Sequence, residues 1–133
     1  MKIPAGIKAY GDMTFRGNCP REAAEQATFF NRIRKTRWGA VALHPRNEGK
    51  FTPAQVARMK AEGMCTGASD IIIIAAVPFV CELKRLDHTK SSWQKGQIPF
   101  LEEAQIGGAF ACVAFGCNAA WEAFLEWELL KTP

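Results

Sequence analysis

The chain has no apolar run that approaches the length of a membrane span, and its first residues lack the long apolar stretch of a secretory signal. A protein with no place in the membrane, working inside the cell, is therefore expected. C-x-x-C pairs are missing too. Cys19, Cys65, Cys81, Cys112 and Cys117 are an odd number at irregular spacing, which argues against both a disulfide framework and a zinc ribbon. Cys81 and Cys112 sit inside strand-like apolar runs and read as small core residues. No internal repeat or low-complexity tract appears, so a repeat architecture is excluded. Nor is there a strong excess of one charge: the net +4 does not by itself indicate a nucleic-acid partner. The 133 residues suffice for one core but not for two.

What is present falls into alternating segments. Residues 1–19 carry Gly6, Gly11 and Gly17 with no clear period and read as an irregular arm, leaving 20–133 as the single domain. Pro20 suits the first turn of a helix predicted over 20–35, with Ala23, Ala27, Phe30 and Ile33 as its apolar stripe. Residues 38–44 read as a strand ended by Pro45. Thr52, Pro53 and Gln55 then form a capping box with proline at the first helical position, for a helix that Gly63 stops. Ser91 to Gln94 offer a second capping box for a helix to 105, in which Pro99 predicts a kink or a fresh start near Ile98. The wholly apolar run 109–115 reads as a central strand. Asn118 is the expected cap of a last helix whose buried stripe is Trp121, Phe124, Leu125 and Leu129. Trp127 and Leu130 widen that stripe, so part of it is available to a partner chain.

The chemistry is concentrated between Asp70 and Arg85. Two apolar runs, 71–74 and 79–83, flank a four-residue turn containing Pro78, which predicts a hairpin of largely buried strands. Side chains alternate along a strand, so Glu82 and Lys84 share one face while Cys81 and Leu83 take the other. In any nearby register Asp70 falls opposite 82–84. Two carboxylates and one lysine thus gather at the open end of the hairpin. A Glu-x-Lys pair on a strand is ordinarily a solvated charge pair, but these charges end two of the most apolar strands in the chain, where an idle acid would be costly. Paired acids repel unless a cation lies between them, and hard oxygen ligands suit Mg²⁺ or Mn²⁺. Arg32, Arg34, Lys35 and Arg37, followed by Arg46, Lys50, Arg58 and Lys60, add a cationic surface of the kind a phosphate backbone requires.

The predicted order is helix, strand, extra helix, strand, strand, helix, strand, helix: an α/β domain with a mixed sheet flanked by helices. Gly67-Ala68-Ser69-Asp70, the apolar strand, Glu82-Leu83-Lys84 and the following Gln97 resemble the PD-(D/E)XK nuclease signature. Within it they are similar to the stand-alone VRR-NUC branch often carried by phages. The resemblance covers about residues 22–115; Ser69 stands where that family often has proline before the aspartate.

The resemblance implies a restriction-endonuclease-like αβββαβ core with one inserted helix and a C-terminal helix. It also implies a divalent-metal-dependent endonuclease that hydrolyses phosphodiester bonds in DNA, at Holliday junctions or other branched structures, as a homodimer. Bacterial or phage-infected cytoplasm would be its location. Asp70, Glu82 and the main-chain carbonyl of Leu83 would hold Mg²⁺ or Mn²⁺, and Lys84 would orient the attacking water. A glutamate of the first helix and a glutamine of the later helix would complete the cluster: Glu25 is the choice and Glu22 the alternative, Gln97 the choice and Gln94 the alternative. His44, Asn47 and Gly49 match an H-x-x-N-x-G-like loop of phage VRR-NUC proteins. That match makes His44, Asn47 and Lys50, with Arg58 and Lys60 on the next helix, the candidate DNA contacts.

Overall fold

Alternation along residues 79–84 sets the architecture, because this strand is buried on both of its faces. In the computed structural model, which describes residues 1–46 and 49–130, β4 (Phe79–Lys84) forms the centre of a five-stranded sheet in the order β1-β5-β4-β3-β2. The other strands are β1 (Lys8–Tyr10), β2 (Ala42–Leu43), β3 (Ile71–Ile73) and β5 (Phe110–Phe115). The β3–β4 hairpin is antiparallel, with Ile71 opposite Cys81 and Ile73 opposite Phe79. β4 and β5 run parallel with Glu82 beside Val113, and the crossover between them carries helix α3 (Gln97–Ile106), as a parallel pair requires. The mixed sheet and its helical cover agree with the fold expected from the sequence.

Helices α1 (Glu22–Ile33) and α4 (Cys117–Leu130) cover one face of the sheet. There Phe29, Ile33, Ile71, Phe79, Cys81, Leu83, Phe124 and Trp127 form the larger core. On the other face α3 and the N-terminal segment enclose Ile7, Val80, Leu101, Val113 and Phe115. Val80, Glu82 and Lys84 therefore point to the α3 side. Fully burying a side chain such as Leu83 or Phe79 is worth about 1.5–3 kcal/mol, so two apolar layers hold β4 rigidly in place.

Several local expectations are corrected. The stretch 1–19 is not wholly irregular: β1 adds a parallel edge to β5, pairing Lys8 with Cys112 and Tyr10 with Ala114. The rest of this segment is tied down beyond β4, where Arg85 donates to the Cys19 and Pro20 carbonyls (2.7 and 3.1 Å) and Asp87 accepts from the Gly17 N–H (3.0 Å). Such long-range backbone pairing leaves no local sequence period. The predicted strand 38–44 shrinks to β2, because residues Arg37–Ala40 form a 3-10 turn. That turn carries Trp38 onto Trp127, with ring centroids 4.8 Å apart, and presses Gly39 against the Arg34 backbone.

Along α1 the buried side is Glu25, Phe29, Phe30 and Ile33, while Ala23 and Ala27 are exposed. The second capping box does not start a helix: a 3-10 turn occupies His88–Lys90, and α3 begins at Gln97 behind Gly96, placing Pro99 in its first turn, where a missing N–H does no harm. The capping box on Thr52 does form, starting helix α2 (Pro53–Ala61). Helix α4 starts one residue before Asn118, and its buried side is Ala119, Ala120, Ala123, Phe124 and Trp127. Leu125 and Leu129, expected inside, are exposed, as is Leu130. Three small alanines let the helix approach the sheet closely, which outweighs the pull of the two leucines.

Candidate active site

The hairpin register puts Asp70, one residue before β3, across from Glu82. Both carboxylates are on the α3 side, as strand alternation predicts. Asp70 Oδ2 accepts from the Leu83 N–H at 2.8 Å, which latches the acid onto the neighbouring strand. The N–H and C=O of one extended residue point to the same side of its strand, so the Leu83 carbonyl is also turned toward Asp70.

Glu82 is 1% exposed. Its Oε1 accepts from Gln97 Nε2 at 3.0 Å and lies 3.7 Å from Lys84 Nζ. Its Oε2 is buried without any hydrogen-bond partner among the described residues. Burial, and then the charge and proximity of Asp70, push the Glu82 carboxyl up to about 10; Lys84 opposes this without overcoming it. A buried acid in this position takes up either a proton or a cation. Lys84 is equally buried, donating to the Ser92 carbonyl (2.8 Å) and to Gln97 Oε1 (2.9 Å), with its ammonium 5.1 Å from the Trp93 ring centre. Gln97 thus bonds both charged partners through one amide, and Gln94 supports it by donating its backbone N–H to Gln97 Oε1 (2.8 Å).

These residues open into a cleft of two lobes that share Glu22, Asp70 and Gln94. The first, of about 430 Å³, is walled by Arg21, Arg85 and Lys90. The second, of about 440 Å³, reaches Glu82 and Gln97 and is walled by Phe51, Val56, Lys60, Met64 and Lys95. Of these wall residues only Lys60 was singled out from the sequence. Arg21, Lys90 and Lys95 are isolated cations in the sequence and Arg85 merely follows Lys84, and only the fold assembles them.

The structure separates the two helix-1 glutamates, and it is the alternative, Glu22, rather than the choice, Glu25, that lines the cleft. Glu25 faces away from the cleft: its Oε2 accepts from the Cys117 N–H at 2.6 Å and so caps α4. Glu22, one helical turn nearer the N-terminus, lines both lobes and accepts from Ser91 Oγ at 2.9 Å. The carbonyl of Asp70 can only accept, so His44 donates through Nδ1, at 2.8 Å, and braces the aspartate's backbone. Lys50 and Arg58 stand exposed and outside the walls of both lobes. Asn47 lies outside the described residues.

Among the described residues no three His, Cys, Asp or Glu side chains gather into a metal-binding group by themselves. The donors at hand are the two carboxylates that stand opposite each other, one with an orphaned Glu82 oxygen, and the Leu83 carbonyl on the same strand edge, all hard oxygens. That set fits Mg²⁺ or Mn²⁺ with water or substrate oxygens completing the shell, since such ions keep several non-protein ligands.

No family model matches the sequence, and no curated protein matches it. Among solved structures the chain is similar to one described as "VRR_NUC domain protein", with a TM-score of 0.69 at 20% identity, covering 87% of this chain and 93% of that one. The fold implied by the residues around Asp70 and Glu82 is therefore the fold observed. Among the described residues no helix is long and apolar enough to cross a membrane.

Proposed function

We propose that this chain is a divalent-metal-dependent endonuclease that hydrolyses phosphodiester bonds in DNA. The observation that carries the reading is the buried, unpartnered Oε2 of Glu82 beside Asp70 and Lys84, at the floor of a cleft walled by cations. Asp70, Glu82 and the Leu83 carbonyl would hold one or two Mg²⁺ or Mn²⁺. When bound, the ion supplies positive charge to the phosphoryl oxygens and lowers the pKa of a coordinated water.

The chain's own groups do the positioning. Lys84 has two donors committed to Ser92 and Gln97 and lies 3.7 Å from Glu82 Oε1, and its ammonium would orient the attacking water or neutralise charge developing on the phosphate. Arginine would not replace it, because a planar fork does not fit where one compact ammonium is enclosed. Gln97 fixes Glu82 and Lys84 relative to each other, and Glu22 completes the rim. Arg21, Arg85 and Lys90 suit the backbone phosphates beside the cut.

The substrate proposed is branched DNA, with two copies of the chain cutting a Holliday junction at matched positions. Leu125, Leu129 and Leu130, exposed along the outer side of α4, supply apolar surface for such pairing. A second reading, a monomeric flap or nicking nuclease, is favoured by the lobe that holds Phe51. A third, a DNA-binding accessory protein without catalysis, is opposed by the presence of both acids and the lysine together.

The test uses end-labelled junction, flap, nicked and linear duplex DNA, with Mg²⁺, Mn²⁺ or EDTA, beside Asp70→Ala and Lys84→Ala. Metal-dependent cuts that both substitutions abolish are expected, with circular dichroism unchanged. Cleavage retained in both variants sinks the catalytic assignment; DNA bound but never cut leaves the accessory reading. Light scattering that finds a strict monomer on junction DNA rules out paired cutting.

A further inference from the structure

The two lobes of the cleft differ in chemistry, and on the nuclease reading above that difference identifies what enters each. The first lobe has cations but no aromatic wall. In the second, Phe51 is 43% exposed, a large ring left in contact with solvent in the wall of a lobe that also holds both acids. Among the described residues it stacks on no other aromatic ring, and Gly49 lies against its edge so closely that an added β-carbon would sit 2.9 Å from Cζ. Val56 and Met64 continue the apolar wall, Lys60 and Lys95 supply positive charge, and the floor is Asp70 and Glu82. An aromatic plane beside lysines is the combination that holds unpaired nucleic acid, because every base has a π-face and every link a phosphate. At about 440 Å³ the lobe lies within the size range of a small-molecule pocket, so one base with its sugar enters and a base pair with both backbones does not.

We propose that this lobe receives an unpaired nucleotide adjoining the scissile phosphate, its base stacked on Phe51 and its phosphate held by Lys60 and Lys95. The strand is then single-stranded on the α2 side of the cut and lies along Arg21, Arg85 and Lys90 on the other. Phe51 acts as a specificity residue that selects flaps, gaps and opened junction arms over intact duplex.

The test measures binding in EDTA, so that cleavage plays no part, by anisotropy and by the fluorescence of 2-aminopurine placed as the first unpaired base of a flap. Wild type should quench the probe. Phe51→Ala should bind the flap about tenfold more weakly and blunt duplex within about twofold of wild type, while Phe51→Trp restores flap binding and quenching. Flap affinity unchanged in Phe51→Ala, or flap and duplex weakened alike, overturns the inference. Cleavage assays with Mg²⁺ separate this from the parent reading. If the stacking pattern holds but wild type cuts no DNA, the nuclease reading falls and the nucleotide site stands. If wild type cuts flaps and Phe51→Ala both binds and cuts them equally well, the site falls and the nuclease stands.

Discussion

Gly67 and Gly96 meet backbone to backbone: a β-carbon on Gly67 would lie 2.1 Å from the Gly96 carbonyl carbon, and one on Gly96 would lie 2.6 Å from the Thr66 carbonyl oxygen. Both residues hold left-handed backbone, at φ +82° and +89°. Gly67 is three residues before Asp70, and Gly96 directly precedes Gln97. Their contact sets the separation between the acid before β3 and the amide at the start of α3, so the geometry of the cleft depends on two missing side chains.

Gly67→Ala should therefore lose about 2 kcal/mol or more, from backbone strain and overpacking together. Gly63→Ala is the control: its φ is also positive, at +107°, but nothing lies within 4 Å of an added β-carbon. It should lose only about 1 kcal/mol. Urea denaturation of both variants checks the difference, and equal losses would mean that the glycine contact does not constrain the fold.

Glu22 and Glu25 should part company when mutated. Glu25→Ala removes the acceptor from the Cys117 N–H and should lower stability by about 1–2 kcal/mol, with the rate of cleavage per folded molecule unchanged. Glu22→Ala should leave the melting temperature almost alone, raise the Mg²⁺ concentration needed for half-maximal cleavage, and so reverse the order of the two effects.

Glu82 makes the metal-free protein sensitive to alkali. In the folded chain its carboxyl keeps a proton up to about 10, whereas the unfolded chain releases it near 4.5. Between those values the folded state binds more protons, so stability falls as pH rises through this window and is fullest below it. Melting curves in EDTA from pH 5 to pH 9 should show that decline, and Glu82→Gln, which has no proton to lose, should flatten it and melt higher than wild type at pH 8. Glu82→Gln should also abolish cleavage. Mg²⁺ or Mn²⁺ should stabilise wild type more at pH 8 than at pH 5, because the ion then takes the place of the proton.

Ser69 is fully buried, and its hydroxyl has no partner among the described residues. Burying an unsatisfied hydroxyl costs about 1–3 kcal/mol, so Ser69→Ala should leave stability equal or higher, with cleavage intact. A clear loss of stability in a thermal melt would mean that the hydroxyl has a partner, such as a buried water.

The site's core was legible because it rests on period-two alternation and short-range pairing. Asp70, Glu82 and Lys84 share a face by strand geometry alone, and a hairpin with a short turn, five residues between Ile73 and Phe79 where four were expected, leaves little freedom in which residues stand opposite. Gln97 could be placed near them only through the resemblance, since nothing local says which face of a crossover helix meets the sheet. Phe51, Lys95, Arg21 and Arg85 carried no signal: each is one residue of ordinary type in a loop or at a helix end.

The amino-acid order by itself determined the central elements and the acidic cluster: apolar β-branched runs make the buried strands, the Thr52 capping box starts α2, and alternation aligns the charges of β4. Tertiary structure decided which glutamate lines the cleft, which side of α4 is buried and that residues Lys8–Tyr10 extend the sheet. The physical reason is range. Alternation and capping act over a few residues and are written in the local sequence. The rotation of a helix about its axis, or the pairing of an N-terminal strand with one a hundred residues away, is settled by close packing and by hydrogen bonds that exist only once the chain has folded.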